Sequence, residues 1–272
     1  MFDAPSRNAS LSEQVPAAPR SKSTAFVLGY GKRSMKESAM PLPVEDAKGK
    51  VILLTGANRG IGLATAHELA RRGAKVVAGV RDPGAMPAIA GVRVLALDTA
   101  DGGSCRDFVE KAESEFGRID GLINNAGILL DQNTPVLELP EAELRRTLEV
   151  NLFGPIRLCQ LAVPGMQSRG YGRIVNVSSG LGAIADMGGG YPSYRMSKVA
   201  LNGFTRILAA ELGKSGNVKV NSLCPGWVRT DMGGAEAHRD PSEPAREIAD
   251  LVSIAADGPS GGFYRRGEPA EW

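Results

Sequence analysis

The sequence predicts an α/β fold built on one doubly wound parallel sheet, with helices on both faces. Three observations predict it. From Lys50 onward, short β-branched or apolar runs alternate with amphipathic segments. The first run leads directly into a glycine-rich loop. The chain has 272 residues, 43% of them hydrophobic, which suffices for one substantial core and fits a single large domain better than two.

The strand candidates in order are Val51–Thr55, Lys75–Val80, Val92–Leu97, Gly121–Ile123, Ile174–Val177 and Val218–Leu223. Helical segments interleave with them at Ile61–Arg72 and Cys105–Phe116, and a further apolar, helix-compatible run begins near Tyr194. Alternation of this kind implies parallel strands with helical crossovers, and right-handed crossovers wind such a sheet in both directions. No internal repeat of fixed period is present.

Residues 1 to 47 differ in composition from the rest of the chain. Ser, Pro and Ala are frequent, Pro41-Leu-Pro43 closes the stretch, and no periodicity is sustained, so a disordered extension is expected, with the folded domain spanning 48–272. Its five acidic residues argue against a transit peptide, and it lacks the apolar core of a secretory signal. Met35 and Met40 stand as alternative starts.

Charge and composition exclude several classes. Net charge is +2, from 32 basic and 30 acidic residues with no basic block among aromatics, which argues against nucleic acid as a partner. The longest apolar stretches fall far short of the ~20 residues a membrane span needs. Cys105, Cys159 and Cys224 are scattered and odd in number, and read as reduced packing residues. His67 and His238 are isolated, no Cys-x-x-Cys occurs, and no metal is expected.

Two patterns carry chemistry. In Thr55-Gly56-Ala-Asn-Arg-Gly60-Ile-Gly62, glycines between a strand and a helix permit a tight turn and let a pyrophosphate approach backbone N–H groups at the helix N-terminus. In Tyr194-Arg-Met-Ser-Lys198, a phenol and an amine lie one helical turn apart. An ammonium there favours the phenolate and creates a proton donor.

The loop spacing is Gly-x-x-x-Gly-x-Gly. With Asn124-Asn-Ala-Gly127 after a strand, Asn151 in Glu-Val-Asn-Leu-Phe-Gly, Ser178-Ser179, Tyr194…Lys198 and Pro225-Gly226, in that order, the chain resembles the short-chain dehydrogenase/reductase family over residues 48 to 272. It is most similar in pattern to the NADPH-dependent carbonyl reductases. The resemblance implies a Rossmann-like fold and the carry-over of several site residues. Tyr194 donates a proton to the carbonyl oxygen, Lys198 lowers the tyrosine pKa and binds the nicotinamide ribose, and Ser179 holds the substrate oxygen, with Ser178 as the alternative. Asn151 helps hold a water that relays protons to the lysine.

For the coenzyme, the resemblance implies Gly56, Asn58, Arg59, Gly60, Ile61 and Gly62 under the pyrophosphate and Asp98 at the adenine amino group. Asn125, Ala126 and Gly127 then run past the adenine ribose, and Pro225, Gly226, Val228 and Thr230 lie at the nicotinamide carboxamide. Arg81 ends the second strand, where arginine accommodates a 2′-phosphate; with Arg59 it points to NADPH. Asp82 beside it is the acidic alternative, which would select NADH.

The expected activity is hydride transfer between NADPH and a ketone or aldehyde, reversible to alcohol oxidation, in a cytoplasmic enzyme. Two alternatives stand beside it: reduction of an activated double bond, and a coenzyme-sensing protein without chemistry. Tyr191 rivals Tyr194, because the segment after Ser179 is about two residues longer than is usual in the family and Tyr191-x6-Lys198 matches the enoyl-reductase arrangement. The short polar stretch Asp231–Pro244 implies a small lid. A homodimer or homotetramer is expected through the helices carrying Asn151 and Tyr194, with the aromatic tail Phe263-Tyr264…Trp272 joining the contact.

Overall fold

A computed structural model describes residues 42–213 and 216–272. One sheet organises them. Its strands are β1 (Val51–Thr55), β2 (Lys75–Val80), β3 (Val92–Ala96), β4 (Gly121–Asn124), β5 (Gly172–Val177), β6 (Val218–Cys224), β7 (Phe263–Arg265) and β8 (Glu268–Pro269). They lie in the order β3-β2-β1-β4-β5-β6-β7-β8. The first seven are parallel and β8 returns antiparallel to β7.

The helices are α1 (Gly60–Arg71), α2 (Gly102–Phe116), α3 (Glu141–Leu148), α4 (Gly154–Ser168), α5 (Pro192–Leu212) and α6 (Ser242–Leu251). β1, β4 and β5 are buried along their whole length because both sheet faces are covered. Alternate strand residues feed two cores. Ile52, Leu54, Val76 and Ala78 pack with Leu69 of α1 and Ile248 of α6. Leu53, Val77 and Leu122 pack with Phe108 of α2 and Leu158 of α4 on the opposite face.

The predicted elements are present with small shifts of boundary. α2 begins three residues ahead of the expected Cys105, because the Asp101 carboxylate accepts the Ser104 N–H at 2.6 Å and caps the helix there. β7 and β8 were not expected from the sequence. Phe263 and Tyr264 are buried in β7, so the aromatic residues assigned to an intermolecular contact are spent inside the chain instead.

The expected disorder of the leader lies, through residue 41, outside the described residues. Residues 42–47 correct its boundary. Val44 forms an antiparallel bridge with Ile254, Glu45 N–H donates to Ser253 O at 2.6 Å, and Ala47 is buried in the core. All three cysteines are buried free thiols, as the sequence suggested.

Arg173, the second residue of β5, has a fully buried guanidinium. It donates to the carbonyls of Ile254 (2.5 Å), Gly172 (2.9 Å) and Asn217 (2.8 Å), and it lies over the Tyr171 ring. Burial lowers its pKa, with Tyr171 and Glu45 opposing. Arg173→Met is expected to remove three hydrogen bonds to buried carbonyls and to reduce stability by about 3 kcal/mol or more. A fall in urea midpoint at constant m-value measures it; an unchanged midpoint refutes it.

Candidate active site

Strand order reverses between β1 and β4, which opens a crevice at their carboxyl ends. Asn125 closes its floor: the side-chain amide donates to the carbonyls of Thr55 (2.9 Å) and Gly56 (3.0 Å). Thr55 Oγ1 in turn accepts the N–H groups of Asn125 and Ala126 at 3.0 and 2.9 Å. Asn125, expected along the adenine ribose, is thus a clamp between the β1 and β4 loops. Its partner Thr55 was not among the expected site residues.

The clamp holds the glycine loop very close to α1. A Cβ on Gly62 would stand 2.1 Å from Gly56 O, so no side chain fits there, and Gly56 itself sits at φ +66°. No side chain caps α1, and the first N–H groups of a helix without such a cap are suited to an anion.

The other coenzyme candidates divide. Arg81 is exposed and has no polar partner among the described residues. Asp82 Oδ1 accepts Gly84 N–H at 3.0 Å, capping a short 3₁₀ turn. Asp98 also holds a turn, accepting Ala100 N–H at 3.0 Å. Arg59 reaches across the crevice to Asp231 at 2.7 Å, an exposed ion pair rather than an open anion site. Beside it, Thr230 Cγ2 lies 2.9 Å from where a Gly60 Cβ would be. Val228 is buried, and its backbone bridges Arg239.

Arg239, which no motif in the sequence marks, fixes the Pro225-Gly226 turn. Its Nη1 donates to Pro225 O at 2.7 Å, while Glu243 and Glu247 hold the rest of the guanidinium. Between Cys224 and Ser242 the described chain forms no helix.

The catalytic candidates converge on α5, whose N-terminus is fixed by Asp131. This buried carboxylate, contributed by the loop after β4, accepts Ser193 N–H at 2.5 Å. Nothing in the local sequence marks it, because its partner lies 62 residues away. Tyr194 is buried and its pKa is pushed up to about 12 by desolvation, with a hydrogen bond from Ser179 opposing. Ser178 is buried as well, and its Oγ finds no partner among the described residues. Ser179 is therefore the serine placed against the phenol.

Lys198 corrects one detail. Its ammonium lies 5.5 Å from the centroid of the Tyr194 ring and donates to Val177 O at 2.9 Å. It lies over the ring, and burial, not the lysine, dominates the tyrosine's titration. The same burial lowers the Lys198 pKa to about 8.

Asn151 occupies a π-helical turn, Glu149–Phe153, between α3 and α4, a distortion that recurs at functional sites. Its Oδ1 accepts Ile128 N–H at 2.8 Å, and its Nδ2 donates to Ile128 O at 2.9 Å and Ser197 Oγ at 3.0 Å. Gly127 lies between it and Lys198: a Cβ there would be 3.3 Å from Asn151 Oδ1 and 3.7 Å from Lys198 Nζ. The rival Tyr191 precedes α5 with φ +55°, a left-handed conformation rare for a tyrosine.

A switch-point crevice, a loop packed so closely that Gly62 admits no side chain, a helix start without a side-chain cap and an exposed arginine fit a dinucleotide. Beside them stand a buried phenol, a serine and an amine. Together these define a nucleotide-dependent oxidoreductase. The short chain dehydrogenase family profile matches residues 50–241. The 3-oxoacyl-[acyl-carrier-protein] reductase FabG of Escherichia coli is 36% identical over 190 residues, 68% of this chain and 76% of that protein. The D-beta-hydroxybutyrate dehydrogenase of Cupriavidus necator is 36% identical over 193 residues, 68% of this chain and 72% of that protein. The NADPH-bound carbonyl reductase from chicken fatty liver superposes with a TM-score of 0.74 at 27% identity, covering 83% of this chain and all (100%) of that one.

The chain belongs to the short-chain dehydrogenase/reductase family. It is an oxidoreductase acting on carbonyl or hydroxyl groups. Among the described residues no helix is long and apolar enough to cross a membrane, and no three His, Cys, Asp or Glu side chains group as a metal site.

The buried lysine sets a pH signature. Unfolded, the amine keeps its ordinary value near 10.5; folded, it titrates at about 8. Between those values the unfolded chain binds more protons, so stability rises with pH through this window, and below pH 8 burial of the ammonium costs roughly 3 kcal/mol. Tyr194 acts oppositely: its raised value makes stability fall from pH 10 toward 12. Denaturant midpoints of the wild type are expected to climb from pH 8 to 10, and those of Lys198→Met to lack that climb. Parallel profiles would contradict the buried ammonium.

Proposed function

We propose that this enzyme reduces ketones or aldehydes with NADPH, in a reaction reversible to alcohol oxidation. The observation that carries the reading is the placement of Ser179, Tyr194 and Lys198 around one point at the carboxyl end of β5, beside the glycine crevice. The names of the similar proteins, a 3-oxoacyl-[acyl-carrier-protein] reductase, a D-beta-hydroxybutyrate dehydrogenase and a carbonyl reductase, support the carbonyl class.

A bound nicotinamide dinucleotide would supply the hydride. Gly56, Asn58, Gly60, Ile61 and Gly62 would hold its pyrophosphate. Asp98, Ala126 and Gly127 would border the adenosine, and Pro225, Gly226, Val228 and Thr230 the nicotinamide end. Ser179 positions the substrate oxygen against Tyr194. Tyr194, held protonated by burial, gives that oxygen its proton. Lys198 places a positive charge behind the ring as negative charge develops. Asn151 fixes the Ile128 backbone beside the lysine, and through it the wall of the pocket.

Tyr194→Phe is expected to lower kcat by ~10²-fold or more, the usual worth of a positioned acid, while coenzyme affinity stays within about twofold. Turnover retained there but lost in Tyr191→Phe would transfer the role to Tyr191 and favour double-bond reduction.

Preference for the phosphorylated coenzyme rests on Arg81, exposed and unpaired among the described residues, and on Asp82, whose carboxylate is occupied by its own turn. Arg59 would join Arg81 on release from Asp231. Arg81→Ala is expected to weaken NADPH binding by about tenfold or more and NADH by less than twofold, the loss of one charge-assisted contact. Titration of coenzyme fluorescence measures both, and equal losses would refute the phosphate role.

Self-association belongs to the same reading. An open groove of about 310 Å³ between α4 and α5, lined by Ile156, Val163, Phe204 and Leu208, offers an apolar face for a second copy. The three buried free thiols support a reducing, cytoplasmic setting.

A further inference from the structure

The loop that leaves Ser179 and re-enters the chain at α5 is held from two directions. Arg195 of α5 grips its ends, with Nε donating to Gly190 O at 2.8 Å, Nη2 to Gly189 O at 3.2 Å and Nη1 to Leu181 O at 3.4 Å. Its middle is held by the strand pair β7 and β8 and the residues beyond. Ala185 N–H donates to Trp272 O at 3.0 Å, and Arg265 Nη2 lies 3.7 Å from Asp186 Oδ2.

Trp272 is itself fixed. Its ring stacks on Phe263 with centroids 5.3 Å apart and planes at 21°, and the Arg206 guanidinium lies 5.9 Å from its centroid. Ala183 of the loop, Cys224 at the end of β6 and Phe263 form a small buried cluster against which Trp272 packs. This miniature core lies beneath the loop and apart from the two main cores. The loop meanwhile displays Ile184 and Met187 to solvent, one turn apart, with Met187 N–H bonded to Ile184 O at 3.1 Å.

We propose that Trp272 is a positioning residue for substrate recognition. Stacked on Phe263 and accepting the Ala185 N–H through its main-chain oxygen, it fixes the Ile184–Met187 crest where those side chains meet the apolar part of the carbonyl substrate. The inference rests on the carbonyl-reductase reading for its substrate, but not for the loop order it describes. Exposed loops on a rigid sheet have few contacts of their own, and Arg195 holds this one at its ends, so the stacked aromatic adds to the order of the crest in the middle.

Trp272→Ala and Trp272→Phe test it in the full chain. In the alanine variant, amide exchange across residues 183–187 is expected to accelerate between about two- and tenfold, the range a lost aromatic stack allows. KM for a bulky apolar ketone rises by a similar factor, NADPH affinity measured by fluorescence is unchanged, and phenylalanine restores both. Unchanged exchange in the loop overturns the proposal, as does accelerated exchange with KM unaltered. So does exchange that accelerates throughout β5 and β6 with coenzyme affinity lost in parallel, because that reports general loosening. If the wild type reduces no carbonyl, the reductase reading fails, and localised exchange still decides whether Trp272 orders the loop.

Discussion

A buried chain of four polar side chains determines where the chemistry can take place. Asn124 Nδ2 donates to Asn176 Oδ1 at 2.8 Å, Asn176 Nδ2 donates to Thr205 Oγ1 at 2.9 Å, and Thr205 shares a 2.8 Å hydrogen bond with Ser222 Oγ. Asn124, Asn176 and Ser222 are register partners on β4, β5 and β6, so the polar groups form one rung across three strands. A slip of one residue would turn that rung to the opposite face and leave its amides among hydrocarbon, at a cost of a few kcal/mol per group. The rung therefore fixes strand register, and through Thr205 it also fixes α5. Lys198 and Tyr194 precede Thr205 by about two and three helical turns, on the same face. Tying Thr205 to the sheet thus sets how far the phenol and the amine project beyond the strand ends.

The opposite end of α5 is tied with equal care, by Asp131 at Ser193 and by Ser193 Oγ donating to Thr147 of α3 at 3.1 Å. Between the two anchors the helix carries an ammonium that burial disfavours and a phenol that burial keeps protonated. At neutral pH only the first of these costs stability. A buried amine hydrogen-bonded to one carbonyl, that of Val177, weakens the fold at neutral pH. Anchors at both ends are what such a strained middle requires.

The sheet and most of the site were legible in the sequence for a common reason: they depend on local pattern. Val51–Thr55 followed by Gly56 and Gly62 reads as strand, loop and helix because each residue's contribution is felt within a few positions. Tyr194 and Lys198 read as a pair because one helical turn separates them. Asp131, Arg173 and Thr55 were not legible as structural residues, since their partners lie far off in the chain and any acidic, basic or hydroxyl residue looks alike until folding brings them together. The same distinction explains the strand β7. Three residues after a Gly-, Pro- and Ser-containing stretch carry no period of their own, and their strand character comes from pairing with β6. Asn125 shows the limit of motif reading, since its position was recognised while its amide proved to be spent on the backbone of the neighbouring loop.

The division between anchored and displayed parts follows the sheet axis. At the carboxyl ends of β1, β4 and β5, backbone and side chains approach so closely that even a methyl group at Gly62 has no room, and geometry there is set by contact with the core. Farther out, the loops after β5 and β6 carry exposed Ile184, Met187, Trp227 and Met232 and are held by a few discrete bonds. Changes in those outer side chains alter few buried contacts, so they can vary at little cost in stability. Changes in the inner layer disturb the register rung or the glycine loop and are felt through both cores. A chain with this gradient keeps Tyr194 and Lys198 in place while the outer loops are free to diverge, and a division of that kind lets one fold serve many carbonyl and hydroxyl compounds.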